Sequence, residues 1–227
     1  MSFKITDNTR CGVIGYGSWA TALVYTLVKN KVNVWWHIRN EEVLESLLTE
    51  GRNAKYLSDI EIDQKYITPV SDINDVVINS EIILVASPSA FLKNVMSELT
   101  ESLDEKFILS ATKGIIAEDY TTITEFFNQT YNLSYDNLGL ISGPSHAEEV
   151  ALDRLSYLTV ACKNEENAQM IGEMFKSNTF KVSYSKDIYG IEYAAILKNI
   201  YAIAGGLATG LGYGDNFRAV LAAACAK

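Results

Sequence analysis

The sequence predicts an α/β protein with a doubly wound, mostly parallel sheet, followed by the start of an all-helical domain. Strand-like and helix-like segments alternate to about residue 184, as they do when helices cover both faces of a parallel sheet. Residues 82–86 are apolar without alternation, which is typical of a strand buried on both faces. Residues 11–20 place a strand, a glycine turn and a helix in succession. Together these three observations indicate a Rossmann-type fold.

The glycine turn has the pattern Gly-x-Gly-x-x-Ala at residues 15–20. Gly15 permits the tight turn, Gly17 lets backbone N–H groups approach a pyrophosphate, and Ala20 lets the helix pack close to the strand. The positive end of the helix dipole then faces the phosphates. The pattern alone is common in turns, but the flanking strand and helix supply the context that a dinucleotide site requires. We therefore predict a site for NAD or NADP.

Composition and charge narrow the classes of function. The 227 residues are 48% hydrophobic, enough for one large or two small globular domains. The net charge of -9 argues against a nucleic-acid surface, whereas a few local lysines are sufficient to bind a small anionic substrate. No apolar run reaches membrane-spanning length, and the polar residues 1–10 lack the apolar core of a signal peptide. Three cysteines without metal-ligand spacing predict reduced thiols, no metal site and a cytoplasmic protein.

The end of the second predicted strand, residues 32–38, bears on the choice of cofactor. An NAD site usually places Asp or Glu there to hold the ribose 2′-hydroxyl, whereas an NADP site accommodates the 2′-phosphate with Arg. This chain has His37 and Arg39, with no acidic residue before Glu41. The sequence therefore favours NADP or dual use. The alternative is that Arg39 only belongs to a surface loop.

The character of the chain changes at Asp187, which we predict to cap a long helix. Residues 188–204 are apolar on more than one side, so this helix should be buried. We expect Gly205 and Gly206 to loosen the helix, and the glycines that follow to end it before another helix starts over residues 217–227.

We place a domain boundary at this change. Residues 1–186 are predicted to form an NAD(P)-binding domain, and residues 187–227 the N-terminal part of an all-helical substrate domain. Reactive side chains concentrate at two predicted strand ends, Lys113 and the loop 142–149, and in the long helix, at Lys198. A lysine among apolar residues is costly to bury unless it is paired or used.

Six short segments carry a resemblance to a known family. They read Gly-Tyr-Gly-Ser-Trp-Ala at 15–20, Asn-x-x-Tyr-Leu at 53–57, Ala-Thr-Lys-Gly-Ile at 111–115, Ser-Gly-Pro-Ser-His-Ala at 142–147, Leu-Lys-Asn-Ile at 197–200 and Gly-Tyr-Gly-Asp-Asn at 212–216. In this order they resemble the bacterial NAD(P)-dependent glycerol-3-phosphate dehydrogenases, from about Thr9 to about Ala219.

The resemblance implies hydride transfer between a nicotinamide and C2 of a three-carbon phosphate. Dihydroxyacetone phosphate would be reduced to sn-glycerol 3-phosphate, which feeds phospholipid synthesis. The family's catalytic acid/base lysine falls on Lys198, and Lys113 matches the second catalytic lysine, which contacts substrate and cofactor. Burial and a neighbouring cation lower the pKa of a lysine toward neutrality, where it can exchange protons. Lys198 could instead extend to the surface, and Lys113 could be solvated in a loop.

The resemblance also assigns contact residues. For the substrate these are Gly143, Ser145 and Asn199, besides the two lysines. For the cofactor they are Ser18, Trp19, His37 and Ala147, besides Lys113, the turn glycines and Ala20, with Arg39 proposed for the NADP phosphate. Simpler readings remain for some of them: Asn199 could tie the helix to a neighbouring loop, and Trp19 could only pack on the glycine turn.

The chain departs from the family's pattern at its C-terminal part. The family's helical domain continues well past Lys227, and the segment that grips the substrate phosphate is not in this chain. We interpret the chain as truncated, with cofactor binding more robust than turnover. Alternatives are another two-domain dehydrogenase of the 6-phosphogluconate or hydroxyacid type, and a non-catalytic nicotinamide-binding module. The sequence leaves open the preference between NADH and NADPH, feedback regulation and oligomeric state, including a homodimer.

Overall fold

The structure, a computed structural model, describes residues 9–225, with the backbone alone for Cys225. The strands are β1 (Cys11–Ile14), β2 (Val34–His37), β3 (Ile67–Val70), β4 (Ile82–Val85), β5 (Phe107–Ser110), β6 (Leu138–Ser142), β7 (Ser156–Cys162) and β8 (Phe180–Ser185). The α-helices are α1 (Ser18–Lys29), α2 (Glu41–Glu50), α3 (Ile73–Ile78), α4 (Ser89–Met96), α5 (Ile123–Tyr131), α6 (Ala147–Ala151), α7 (Glu165–Phe175), α8 (Ile188–Gly210) and α9 (Asp215–Cys225).

All eight strands form one sheet in the order β3-β2-β1-β4-β5-β6-β7-β8. Neighbouring strands are parallel, except that β6 and β7 are antiparallel. The predicted fold class, a Rossmann-type, mostly parallel doubly wound sheet followed by a helical segment, is confirmed. The chain winds outward from β1 to β3 and then crosses back to β4, so β1 and β4 flank the topological switch point, where ligands bind in such sheets.

The strand register brings the loops of the site to one edge. Ile14 at the end of β1 lies opposite both His37 of β2 and Val85 of β4. Val85 lies in turn opposite Ser110 at the end of β5. The glycine turn and the loops that follow β2, β4 and β5 therefore leave the sheet at the same level, at its carboxyl edge.

Apolar side chains cover both faces of the sheet. One buried cluster joins the sheet to α1, α2, α6 and α7, and a second joins it to α3, α4 and α5. All four residues of β4 are buried, as the unbroken apolar run predicted. A sheet enclosed on both faces holds the strand ends rigidly, which is what a site at its carboxyl edge requires.

Helix α8 begins where predicted but is not buried. The side chain of Asp187 accepts a hydrogen bond from Gly190 N at 2.8 Å, so Asp187 caps the helix. The predicted burial is wrong for most of α8: Ile203 is 66% exposed, for example. The helix packs mainly on β6, β7 and α9, and its Glu192 reaches Thr124 at the start of α5. Several of its apolar side chains are left exposed, including Ile200, Ile203 and Leu207. The predicted loosening at Gly205-Gly206 is also wrong, since α8 continues unbroken to Gly210.

The predictions about the cysteines and about membrane or signal segments can be compared with the structure only in part. Cys11 and Cys162 are free buried thiols, and burial raises the pKa of each to about 12. The side chain of the third cysteine, Cys225, lies outside the described part of the structure. Residues 1–8 lie outside it as well, so the predicted lack of a signal peptide stays a prediction. Across residues 9–225, no helix combines the length and apolarity of a membrane span.

Candidate active site

The glycine turn is shaped for a ligand at the N-terminus of α1. Gly15 has φ +120°, and a Cβ there would lie 2.7 Å from the carbonyl carbon of Ala86 on the neighbouring strand's loop, so the fold itself requires glycine. Gly17 is different, because its backbone is extended and a Cβ would meet nothing within 4 Å. The fold itself therefore does not require glycine at this position. A glycine is needed there if a bound ligand, such as a pyrophosphate, approaches the backbone closely.

Helix α1 presents unpaired N–H groups to that open space. Ser18 and Trp19 begin the helix, and no side chain caps it. The first turn holds no acidic residue, so the positive end of the helix dipole is not neutralised locally. Ala20 is fully buried against the sheet, as expected of the small residue in this pattern. The arrangement is a ready anion site.

A polar side chain that the sequence analysis did not assign holds the turn in place. Asn53 is completely buried, and its Nδ2 donates to the carbonyl oxygen of Tyr16 and to Thr21 Oγ1, both at 2.9 Å. Its Oδ1 accepts from the backbone of Lys55 and Tyr56. The residue was noted only as part of a motif, since its partners lie far away in sequence.

A pocket of about 300 Å³ continues from the turn toward β2 and α4. It is lined by Gly15, Gly17, His37 and Arg39, among others, and also by Ser87 and Phe91. His37 is 1% exposed and burial lowers its pKa, so it is neutral near pH 7. Its Nε2 is buried without a hydrogen-bond partner in the described structure.

Arg39 lies at the rim of this pocket and is already engaged. Its Nη1 donates to Asn94 Oδ1 at 3.0 Å and lies 3.6 Å from Glu98 Oε1, both on or just beyond α4. The side chain is one-third exposed. It can therefore face a bound group without a large rearrangement, although part of its charge is balanced by Glu98.

Lys113 follows β5 and reaches back to the glycine turn. Its Nζ lies 4.9 Å from the centroid of the Trp19 ring, within the range of a cation–π contact. The side chain is half-buried, and burial lowers its pKa, as does the positive charge of Lys198. Trp19 Nε1 is buried without a partner in the described residues, so the ring stacks on a cation while its own donor remains free.

A second cleft, of about 460 Å³, lies between the sheet edge and α8. Lys113 and the loop 142–146 form one wall, and Ile191, Ala195 and Lys198 are in the other. Neither lysine has a carboxylate within ion-pair distance among the described residues. Two unneutralised cations facing one cleft favour an anionic ligand.

The loop after β6 is held close to β7. A Cβ on Gly143 would lie 2.2 Å from the carbonyl oxygen of Tyr157, so only glycine fits. Ser145 is 6% exposed, and its Oγ donates to the same oxygen at 3.4 Å. Ala147 is the first residue of α6, which the sequence analysis took for part of the loop. The loop therefore presents a rigid wall to the cleft.

The structure brings most of the predicted site residues together, with two differences. Lys198 does line the cleft, but it is exposed, because the part of α8 around it is not covered as expected. Asn199 is exposed as well, and it is not among the residues that line the cleft. Consecutive helical residues point about 100° apart, so Asn199 lies on a neighbouring face of α8.

Fold and site together define a Rossmann-type dinucleotide-binding protein with a cleft, lined by Lys113 and Lys198, beside the glycine turn. Comparison with known proteins is more specific. The family described as NAD-dependent glycerol-3-phosphate dehydrogenase matches the chain with its N-terminal part over residues 10–168 and with its C-terminal part over residues 187–227. The chain therefore belongs to the NAD-dependent glycerol-3-phosphate dehydrogenase family, and the resemblance predicted from the sequence is confirmed.

Individual relatives agree. A glycerol-3-phosphate dehydrogenase [NAD(P)+] of Oceanobacillus iheyensis is 37% identical over 93% of this chain, and one of Macrococcus caseolyticus is 34% identical over 92%. The chain spans 61% and 63% of their lengths. The crystal structure of glycerol-3-phosphate dehydrogenase from Coxiella burnetii superposes with a TM-score of 0.81 at 27% identity, covering 94% of this chain and 65% of that one.

Proposed function

We propose that the protein is an NAD(P)-dependent oxidoreductase that interconverts dihydroxyacetone phosphate and sn-glycerol 3-phosphate, the latter for phospholipid synthesis. One observation carries the proposal: Lys113 and Lys198, without carboxylate partners in the described residues, line one cleft, and Lys113 also touches Trp19 of the glycine turn. A small phosphate ester in this cleft would lie beside a cofactor bound at the turn. The family membership supports the same activity.

The residues around the turn fit a dinucleotide. The open space over Gly17 and the uncapped α1 suit its pyrophosphate, held by the backbone at Gly15, Ser18 and Ala20. Toward the adenosine end lie His37, with its unpartnered Nε2, and Arg39, which would contact an NADP phosphate. Lys113, Trp19 and Ala147 are proposed at the nicotinamide end. When bound, the nicotinamide supplies the hydride that reduces the substrate carbonyl.

Lys198 and Lys113 have different roles in the reduction of the carbonyl. Lys198 Nζ gives a proton to the substrate carbonyl oxygen as C2 is reduced, and that oxygen becomes the C2 hydroxyl; in the reverse direction Lys198 accepts the proton. Lys113 holds a positive charge near the same oxygen and stabilises the negative charge that develops there. Gly143 and Ser145 shape the wall that orients the phosphate ester, and Asn199 is proposed as a further substrate contact.

Several organisational features belong to the same proposal. Residues 1–186 serve as the NAD(P)-binding domain and residues 187–227 as the N-terminal part of a helical substrate domain. A cytoplasmic location is supported by the free thiols of Cys11 and Cys162, since reduced cysteines are typical of a reducing compartment. A homodimer is also proposed, and sedimentation of the complete gene product would test it.

The test is to follow the absorbance of reduced nicotinamide with dihydroxyacetone phosphate, using the complete gene product and both NADH and NADPH. We expect turnover, and a loss of about 100-fold or more in Lys198→Ala, which removes the proton donor, with NADH affinity unchanged. Lys181→Ala is the matched control, because Lys181 is an exposed lysine on β8 that is not among the residues lining the cleft. Cofactor binding without turnover would favour a non-catalytic module. Oxidation of 6-phosphogluconate or another hydroxyacid instead would favour a different dehydrogenase.

A further inference from the structure

Glu192 is a buried carboxylate on an otherwise poorly covered helix. It is 4% exposed, and the other buried residues of α8 are the apolar Ile188, Ala195 and Ala208. Burying an ionised carboxylate is costly unless it is hydrogen-bonded. No lysine, arginine or histidine of the described residues lies within ion-pair distance of it. The side chain must therefore be held by neutral donors.

Those donors belong to the N-terminus of α5. Glu192 accepts from Thr124 N at 3.0 Å and from Thr124 Oγ1 at 2.5 Å. Thr124 is the second residue of α5, so its N–H has no partner within the helix. Thr122 and Glu125 already form a capping box on this helix end. Glu192 thus adds a second cap from a different part of the chain, and its negative charge suits the positive end of the helix dipole.

This contact restrains how α8 is turned about its own axis. Ile188 packs on Leu140 and Ala161, and apolar contacts of this kind have no preferred direction. The two hydrogen bonds of Glu192 are directional and fix which side of α8 faces α5. Ile191, Ala195 and Lys198 then face the cleft. Lys198 is six residues further along, about 9 Å at 1.5 Å per residue.

We infer that Glu192 is a positioning residue: by capping α5 through Thr124, it sets the orientation of α8 and so the place of Lys198 opposite Lys113. The inference rests on the proposed role of Lys198 as proton donor. Glu192 touches neither lysine in this arrangement, so it acts through the helix. Removing the Glu192 contact should reduce the rate of the proton-dependent step. It should leave the dinucleotide pocket unchanged, because no residue of α8 lines that pocket.

The experiment compares variants of the complete gene product by kcat for dihydroxyacetone phosphate reduction, counted per NADH-binding site. Glu192→Gln keeps the shape but offers only one acceptor atom in place of two. Thr124→Val removes the hydroxyl donor and Thr124→Ser keeps it. Glu166→Gln is the matched control, an exposed glutamate on α7. Lys198→Ala is measured in parallel.

We expect kcat to fall tenfold or more in Glu192→Gln and threefold or more in Thr124→Val, with NADH Kd within twofold of wild type. Thr124→Ser should restore kcat, and Glu166→Gln should not change it. A merely structural role would reduce the number of NADH-binding sites but not kcat per site. Normal kcat per site in both Glu192→Gln and Thr124→Val would overturn the inference. If Glu192→Gln does not fold, the comparison of kcat between Thr124→Val and Thr124→Ser decides. Normal kcat in Lys198→Ala would instead refute the proposed function.

Discussion

The Nζ atom of Lys113 lies 4.9 Å from the centroid of the Trp19 ring. Trp19 belongs to the first turn of α1, and Lys113 follows β5 and lines the cleft beside α8. The contact thus joins the helix end that would bind the cofactor to the lysine that would bind the substrate. A substitution of Trp19 should therefore change how the enzyme binds or turns over its substrate.

Replacement of Trp19 tests this connection. Trp19→Leu removes the ring face, and a partly desolvated cation–π contact contributes about 1–2 kcal/mol. We expect kcat/KM for dihydroxyacetone phosphate to fall about five- to thirtyfold at saturating NADH, and less in Trp19→Phe, which keeps a weaker ring face. In a Lys113→Met background, Trp19→Leu should have little further effect. Equal losses in the two backgrounds would show that the two residues act independently.

The lowered pKa of Lys113 predicts how stability depends on pH. Burial and the charge of Lys198 lower its pKa in the folded protein below the ordinary 10.5, so folding disfavours the protonated form. Below the folded pKa this cost is fully present. Between the folded pKa and 10.5 the unfolded chain binds more protons than the folded one, so the free energy of unfolding rises with pH in this window.

Lys113→Met removes that cost, so at neutral pH the variant should be more stable than wild type. Because Lys113 is only half-buried, solvent screening keeps the gain small, about 1–3 °C in Tm. The advantage should shrink as the pH rises toward 10.5. Thermal unfolding at several pH values measures this, with Lys181→Met as the control. A variant that is less stable than wild type at neutral pH would contradict the prediction.

Arg39 should determine how well NADPH is accepted. Charge-assisted hydrogen bonds from arginine to phosphate contribute about 1.5–3 kcal/mol, so Arg39→Ala should raise the Kd for NADPH about tenfold or more and change that for NADH little. Fluorescence titration of both cofactors measures the two constants. An unaltered NADPH constant would leave Arg39 as a residue of the surface loop.

Glu98 should weaken NADPH binding, because it pairs with Arg39. Its carboxylate lies 3.6 Å from Arg39 Nη1 and is half exposed, so the pair contributes about 0.5–1 kcal/mol. In Glu98→Gln the arginine is freed, and we expect the ratio of NADH to NADPH Kd to move two- to fivefold toward NADPH. Glu101→Gln, an exposed carboxylate nearby in the chain, serves as the control. A shift toward NADH would refute this account of the pair.

The sequence was most informative where structure is local. The apolar run of β4 and the cap of α8 by Asp187 depend on neighbouring residues, and both are as predicted. Glu192 and Thr124 are 68 residues apart, and Asn53 and Tyr16 are 37 apart, so no local pattern could show that they meet. The exposure of Lys198 was wrongly predicted because burial depends on which elements pack around a helix. Helix α6 has only five residues, too few for a periodic signal.

The two glycines of the turn separate folding from cofactor binding. Gly15→Ala places a Cβ 2.7 Å from a backbone carbon at φ +120°, a strain on the order of 1–3 kcal/mol before any clash is relieved, so Tm should fall by about 5 °C or more. Gly17→Ala meets open space at an ordinary extended conformation, so Tm should hold or rise slightly. Its methyl group would nevertheless occupy the place where a pyrophosphate approaches the backbone, and we expect NADH Kd to rise about tenfold. Calorimetry and fluorescence titration of the two variants distinguish these effects. Unchanged NADH affinity in a folded Gly17→Ala variant would remove the glycine turn from the cofactor site.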